Sequence, residues 1–191
     1  MKYLPYLAGA IFYITFLSRE TFTLEGKLSF GLFDDAMISM TYARNLAEGF
    51  GLRWHAALPP VEGYTNFLWT LIMALFHTLG LSENWVSLPV QLTGAALLLV
   101  NAWYTGRTAE VLFPSRPVAK YVVVFATLFF YPLAFWTLRG MEVGLLAAVI
   151  SAAVYYSLTY SPERRWKLGA ALALLPLIRD DAMVPARSSA R

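Results

Sequence analysis

The chain of 191 residues is 58% hydrophobic and 16% aromatic but only 14% charged, with more apolar surface than one water-soluble core could hide, so a bilayer is expected as part of its solvent. Its net charge of +3 is small and scattered among loops, with no basic face interleaved with aromatics, which argues against a nucleic-acid surface. The absence of cysteine removes disulfides, thiolate nucleophiles and thiolate metal sites.

Residues 3 to 18, about sixteen apolar or weakly polar positions after Lys2, reach the lower limit for a spanning helix. No small-x-small cleavage site follows Phe16, so an uncleaved anchor is expected in preference to a signal peptide. Residues 19 to 85 then form an outer loop, most polar up to residue 64 and holding Glu20, Glu25, Asp34, Asp35, Glu48, Glu62 and Glu83. Within it, Asp34 or Asp35 suits the N-cap of a juxtamembrane helix over about 35 to 48, because carboxylates accept first-turn N–H groups and favour the positive helix end. Gly49 and Gly51 are expected to end that helix, and Ala36, Met40, Ala43 and Ala47 give it an apolar stripe for the membrane surface or other helices.

Pro59, Pro60 and Gly63 predict a turn, and Asn66 a cap for the apolar run that ends at Leu81. Further apolar runs cover about 86–104, 121–138, 143–160 and 166–178. The connections carrying Arg107, Arg116 and Lys120, and Arg164, Arg165 and Lys167, look cytoplasmic by the positive-inside rule. An even number of crossings must then separate Lys2 from Arg107, which makes residues 66–81 a re-entrant or interfacial helix. The predicted fold class is all-α, a polytopic transmembrane helical bundle with a juxtamembrane helical first outer loop. Trp69, Trp85, Trp103, Trp136 and Trp166 fall near run ends and read as interfacial anchors.

This topology gathers Asp34, Asp35, Glu62, the Arg139-Gly140-Met141-Glu142 turn and Arg179-Asp180-Asp181 on the outer face. Converging carboxylates and arginines at helix ends suit a lipid-linked phosphate substrate, since charge at a membrane needs partners or water. His55 and His77 have no second ligand at metal spacing, and no Walker loop, dinucleotide fingerprint or zinc-protease helix occurs.

DDAMISMTYARNLAEGFGLRW, followed by VEGYTNFLW, resembles the first outer loop of polytopic GT-C class glycosyltransferases, nearest to the arabinofuranosyltransferase-like enzymes of bacterial cell-wall assembly. RGMEVGL at 139–145 and LIRDDAMV at 177–184 look like two further family elements in the same order. The resemblance implies an inverting transfer of a sugar from a polyprenyl-phosphate donor to a glycan or protein acceptor, at the outer face of the cytoplasmic (inner) membrane. It assigns the general base to Asp34 or Asp35, with Asp34 taken as the base and Asp35 as a capping or acceptor-positioning residue. A bound divalent cation is compatible with the pair, although no metal ligand set is predicted.

Arg139 and Arg179 are the expected phosphate ligands, because the planar guanidinium matches phosphate oxygens bidentately. Arg44 is expected nearer the lipid headgroups. Glu142 is expected to hold the acceptor or an arginine, while Glu62 and Tyr64 shape the loop beside the aspartates. GT-C enzymes are longer, and Pro185, Arg187, Ser188, Ser189 and Arg191 interrupt the apolar continuation. The alternative expectation is therefore a truncated, non-catalytic integral membrane protein derived from such an enzyme.

Overall fold

The first apolar run folds as helix α1 (Leu4–Arg19), with a proline in its first turn, where a missing N–H leaves no bond unmade. A hairpin that the sequence reading missed follows: β1 (Thr21–Leu24) pairs antiparallel with β2 (Lys27–Phe30). Phe30 N–H donates to Asn84 O (3.2 Å), and its ring lies 5.1 Å from Trp85, so the hairpin is fixed to the loop ahead of α4. Helix α2 (Asp34–Ala47) begins with both aspartates in its first turn. Phe33, not an aspartate, is its N-cap, and neither carboxylate makes a capping hydrogen bond. The expected stop is present: Gly49 has φ +86°, and its N–H donates to Leu46 O (3.1 Å).

Helices α3 (Phe67–His77), α4 (Ser87–Leu112), α5 (Pro117–Leu128), α6 (Tyr131–Leu138), α7 (Val143–Leu158) and α8 (Arg165–Ile178) complete the set, with short 3-10 turns at Pro162–Arg164 and Asp180–Met183. This computed structural model describes residues 3–24, 26–61 and 63–183; Glu62 and the 184–191 ending lie outside them. The expected helical class is observed, with the hairpin added. The run at 121–138 is two helices rather than one, bent by 46°, with Pro132 in the first turn of α6. Proline cannot donate back to the preceding turn, which accounts for a break just ahead of it. α4 runs eight residues past its predicted end, through Arg107 and Glu110.

Side-chain contacts fix the helix directions. Along α1, Phe12 packs against Phe129 (5.4 Å), Phe16 meets Phe135 edge-on (6.3 Å), and Glu20 pairs with Arg139 (2.6 Å), so α1 runs parallel to the bent α5–α6 pair. Thr105 meets Thr127 (3.2 Å) and Glu110 binds Lys120, so α4 runs antiparallel to them. Ser151 donates to Asn101 (2.6 Å), and Tyr156 and Tyr104 share a hydrogen bond (3.0 Å), so α7 runs parallel to α4. Lys167 lies over Tyr156 and Arg179 bonds Glu142, which returns α8 antiparallel to α7.

The chain consequently has two polar poles. One carries Arg107, Glu110, Lys120 and Lys167; the other carries Glu20, Arg139, Glu142 and Arg179 together with α2 and α3. One buried cluster joins α1, α4, α5 and α6 around Tyr13, Leu98, Leu128 and Leu138. A second joins α2, α3 and the start of α4 around Ala36, Met40, Ala43, Trp69 and Met73, so the apolar stripe of α2 packs against helices. Among the described residues no single helix is long and apolar enough to cross a membrane; α5 and α6 together meet the length and composition test as a bent pair.

Candidate functional site

The second pole is built around a buried carboxylate. Glu142 is 2% exposed at the start of α7, and both of its oxygens are engaged. Asn66 Nδ2 donates to Glu142 Oε2 (3.0 Å), and Arg179 Nη1 donates to Oε1 (3.2 Å). Asn66 holds the N-cap position of α3 but does not cap with its side chain. Its Oδ1 instead accepts from Ser39 (2.9 Å) on α2 and Thr70 (3.1 Å) on α3. One hydrogen-bonded chain thus links α2, α3, α7 and the end of α8, as buried polar groups require.

The turn before Glu142 is pinned from two sides. Phe33 N–H, immediately ahead of the aspartates, donates to Arg139 O (2.8 Å), and Trp69 Nε1 donates to Gly140 O (2.8 Å). Trp69 is 0% exposed, so it is a core residue of this turn and not the interfacial anchor that its place in the sequence suggested. Gly140 has φ +93°, and a Cβ there would stand 2.8 Å from Leu32 and 3.2 Å from Ala36. Only glycine admits both the left-handed backbone and that approach of α2.

Asp34 and Asp35 are exposed on the first turn of α2, beside this braced turn, and no hydrogen bond or ion pair among the described residues engages either carboxylate. The 14-residue helix holds them in place, and the Phe33–Arg139 bond ties their end of α2 to the Glu142 network. The pair therefore has what a proton acceptor needs: free oxygens on a rigid mount.

The two arginines are already occupied. Arg139 binds Glu20 (2.6 Å) and lies over Phe135 (5.2 Å), while its Nε is buried without a partner. Arg179 holds Asp181 through Nε (3.0 Å) and Nη2 (3.1 Å), in the two-pronged geometry that a phosphate would use. That Asp181 bond, with Glu142 behind it, holds the Arg179 guanidinium proton more tightly than usual. Tyr64 meets Tyr42 edge-to-face (5.0 Å), whose hydroxyl donates to Val61 O (2.7 Å), so the segment after the double proline rests on the middle of α2. Arg44 lies two to three turns along α2, 3.7 Å from Glu83.

Among the described residues no three His, Asp or Glu side chains gather as a metal site. The structure brings Asp34, Asp35, Arg139, Glu142 and Arg179 to one pole, with Tyr64 further along α2. Sequence reasoning treated Asn66 only as a cap and gave no part to Ser39, Thr70 or Glu20. A signal was present in Asn66 and Thr70, two polar residues one turn apart at the start of an otherwise apolar helix. No family model matches the chain, and neither a curated protein nor a solved structure matches it.

Proposed function

We propose that the chain belongs to a membrane glycosyltransferase that moves a sugar from a polyprenyl-phosphate donor to a cell-envelope acceptor, with Asp34 or Asp35 as general base. The observation that carries this reading is the unpaired aspartate pair, hydrogen-bonded through Phe33 to the turn that leads into the Glu142–Arg179 network. In the reaction, one aspartate takes the proton of an acceptor hydroxyl as that oxygen attacks the anomeric carbon. The bond from the anomeric carbon to the phosphate oxygen breaks on the opposite face, and the electron pair leaves with polyprenyl phosphate. The configuration inverts. In this reading the donor phosphate replaces Asp181 on the Arg179 fork, while Glu142 keeps the guanidinium aimed.

Membrane residence is part of the same proposal. Leu4, Leu7, Ile11 and Ile14 form an exposed stripe at helical spacing along α1, and Val118, Val122 and Phe125 form another on α5, between the two polar poles. Exposed apolar surface on that scale marks a lipid-facing or partner-facing wall. At about 1.5 Å per residue, α1 and α7 extend roughly 24 Å, so crossing a hydrocarbon core of roughly 30 Å needs their flanking residues or a locally thinned bilayer. The basic pole faces the cytoplasm, which turns Asp34 and Asp35 outward in the cytoplasmic membrane.

The test is transfer from a polyprenyl-phosphate sugar in native membranes that carry Asp34→Asn or Asp35→Asn. Loss of a general base should lower turnover on the order of 100-fold or more for one of the two substitutions. Equal and mild losses, or an intact cellular phenotype in the double variant, would leave a non-catalytic membrane protein as the better account.

A further inference from the structure

Beyond Asp34, one face of α2 continues through Met37, Thr41 and Arg44 at intervals of three and four residues. These three form one wall of a cavity of about 150 Å³ between α2, the end of α3 and the start of α4. Met40 and Val86 add apolar floor, and Ser87 and His77 supply polar groups from the other two helices. Ser87, 4% exposed, adds its hydroxyl to the cavity wall. His77 Nε2 is buried without a partner. A buried ring nitrogen left unmet beside a cavity is costly unless a ligand satisfies it.

The charges decide which ligand. Arg44 and Glu83 stand 3.7 Å apart on the rim and cancel, so the cavity carries no net charge. Burial, with Arg44 adding to it, pushes His77 below the usual histidine value, against weaker pulls from Glu48, a hydrogen bond to the Met40 backbone and Glu83, so its ring stays neutral near pH 7. A lone phosphate would meet the Glu83 carboxylate as well as Arg44. A sugar ring presents hydroxyls to serine, histidine and threonine and C–H faces to methionine and valine, and about 150 Å³ takes up part of such a ring with the remainder at the rim.

We propose that this cavity binds one neutral sugar ring, the ring of the acceptor glycan behind the one that presents its hydroxyl to Asp34. Met37 is one turn from Asp34, roughly 5 Å along the helix, which is about the span of one saccharide unit. Assigning the ring to the acceptor rests on the glycosyltransferase reading; the binding itself does not.

The test is saturation-transfer NMR on the detergent-purified protein, with methyl α-D-mannopyranoside and methyl α-D-arabinofuranoside as probes, glycerol as the non-ring control and inorganic phosphate as the anion control. At least one glycoside should bind, and Ser87→Ala and His77→Phe should each weaken it about fivefold to tenfold, the effect of one lost hydrogen bond. Met37→Trp, at an exposed position on the rim, should block binding while the protein still unfolds cooperatively. Glycoside binding that survives Met37→Trp overturns the site, as does absence of glycoside binding. Phosphate that competes with the glycoside overturns its neutral character. Asp34→Asn combined with Asp35→Asn separates the two proposals: unchanged transfer with Met37-sensitive binding removes the aspartate base and keeps the site, and abolished transfer with Met37-insensitive binding does the reverse.

Discussion

Glu142 offers the sharpest quantitative test of how the second pole is held together. Replacing it with alanine leaves the buried Asn66 amide without its acceptor, at a cost of about 1–3 kcal/mol. Arg179 loses one carboxylate but keeps Asp181, and its side chain is 33% exposed to solvent that can replace the bond, so this part costs only about 1 kcal/mol. The expected total is about 3 kcal/mol, or a fall in Tm of roughly 6–12 °C for a chain of this length. Glu142→Gln keeps an oxygen for Asn66 and gives up only the charge toward Arg179, so it should cost about 1 kcal/mol. The assay is thermal unfolding in a mild detergent, followed by circular dichroism, with Asn66→Ala completing a double-mutant cycle. A coupling energy of about 1–2 kcal/mol between positions 142 and 66 is expected. If Glu142→Ala shifts Tm by less than 2 °C, or the cycle shows no coupling, the carboxylate does not brace the pole.

Two further outcomes follow from neighbouring groups. Gly140→Ala forces a side chain onto a φ of +93° and into Leu32, so it should destabilise by about 2–3 kcal/mol, read as a Tm loss comparable with that of Glu142→Ala. His77 binds its proton less readily in the folded chain, so the unfolded chain takes up more protons as the pH drops below about 6.5. Stability from the neutral ring is therefore complete above that value and declines toward lower pH. Tm measured from pH 8 to 5 should fall more for the wild type than for His77→Gln, and a wild type that gains on the variant in acid would contradict this sign.

The helical runs and the glycine stop after α2 were legible because each depends on local chemistry: apolar length and a residue that accepts positive φ. Most of the rest depends on partners. Asp34 and Asp35 satisfied every rule for an N-cap, yet Phe33 takes that position because its own N–H is committed to Arg139 O, one residue outside the helix and more than a hundred residues away. The break between α5 and α6 was readable from Pro132 and was overridden by the continuity of the apolar run. Trp69 could not be told from an interfacial tryptophan by position, since both lie near the ends of apolar runs and only the tertiary partner, Gly140 O, separates them. The hairpin at Thr21–Phe30 is short and its strands are largely exposed, which leaves little alternation for a periodicity argument to find.

The charged groups of the second pole divide by what each has left to offer. Glu142 has spent both oxygens, Arg179 has spent its fork on carboxylates, Arg139 has given one Nη to Glu20, and all three sit where removing a partner disturbs the packing of two or more helices. Asp34 and Asp35 have spent nothing beyond a favourable place at a helix N-terminus, worth at most about 1 kcal/mol each. Residues that act on a substrate must keep unsatisfied valence in the resting state, and residues that position them must not. Stability and activity should therefore separate by position: asparagine at 34 or 35 should leave Tm within about 4 °C of the wild type while removing transfer, and Glu142→Gln should lower Tm before it alters the chemical step. If transfer and Tm instead fall together at all three positions, the aspartates are structural, and the free oxygens at the start of α2 are solvent-facing helix caps in all but geometry.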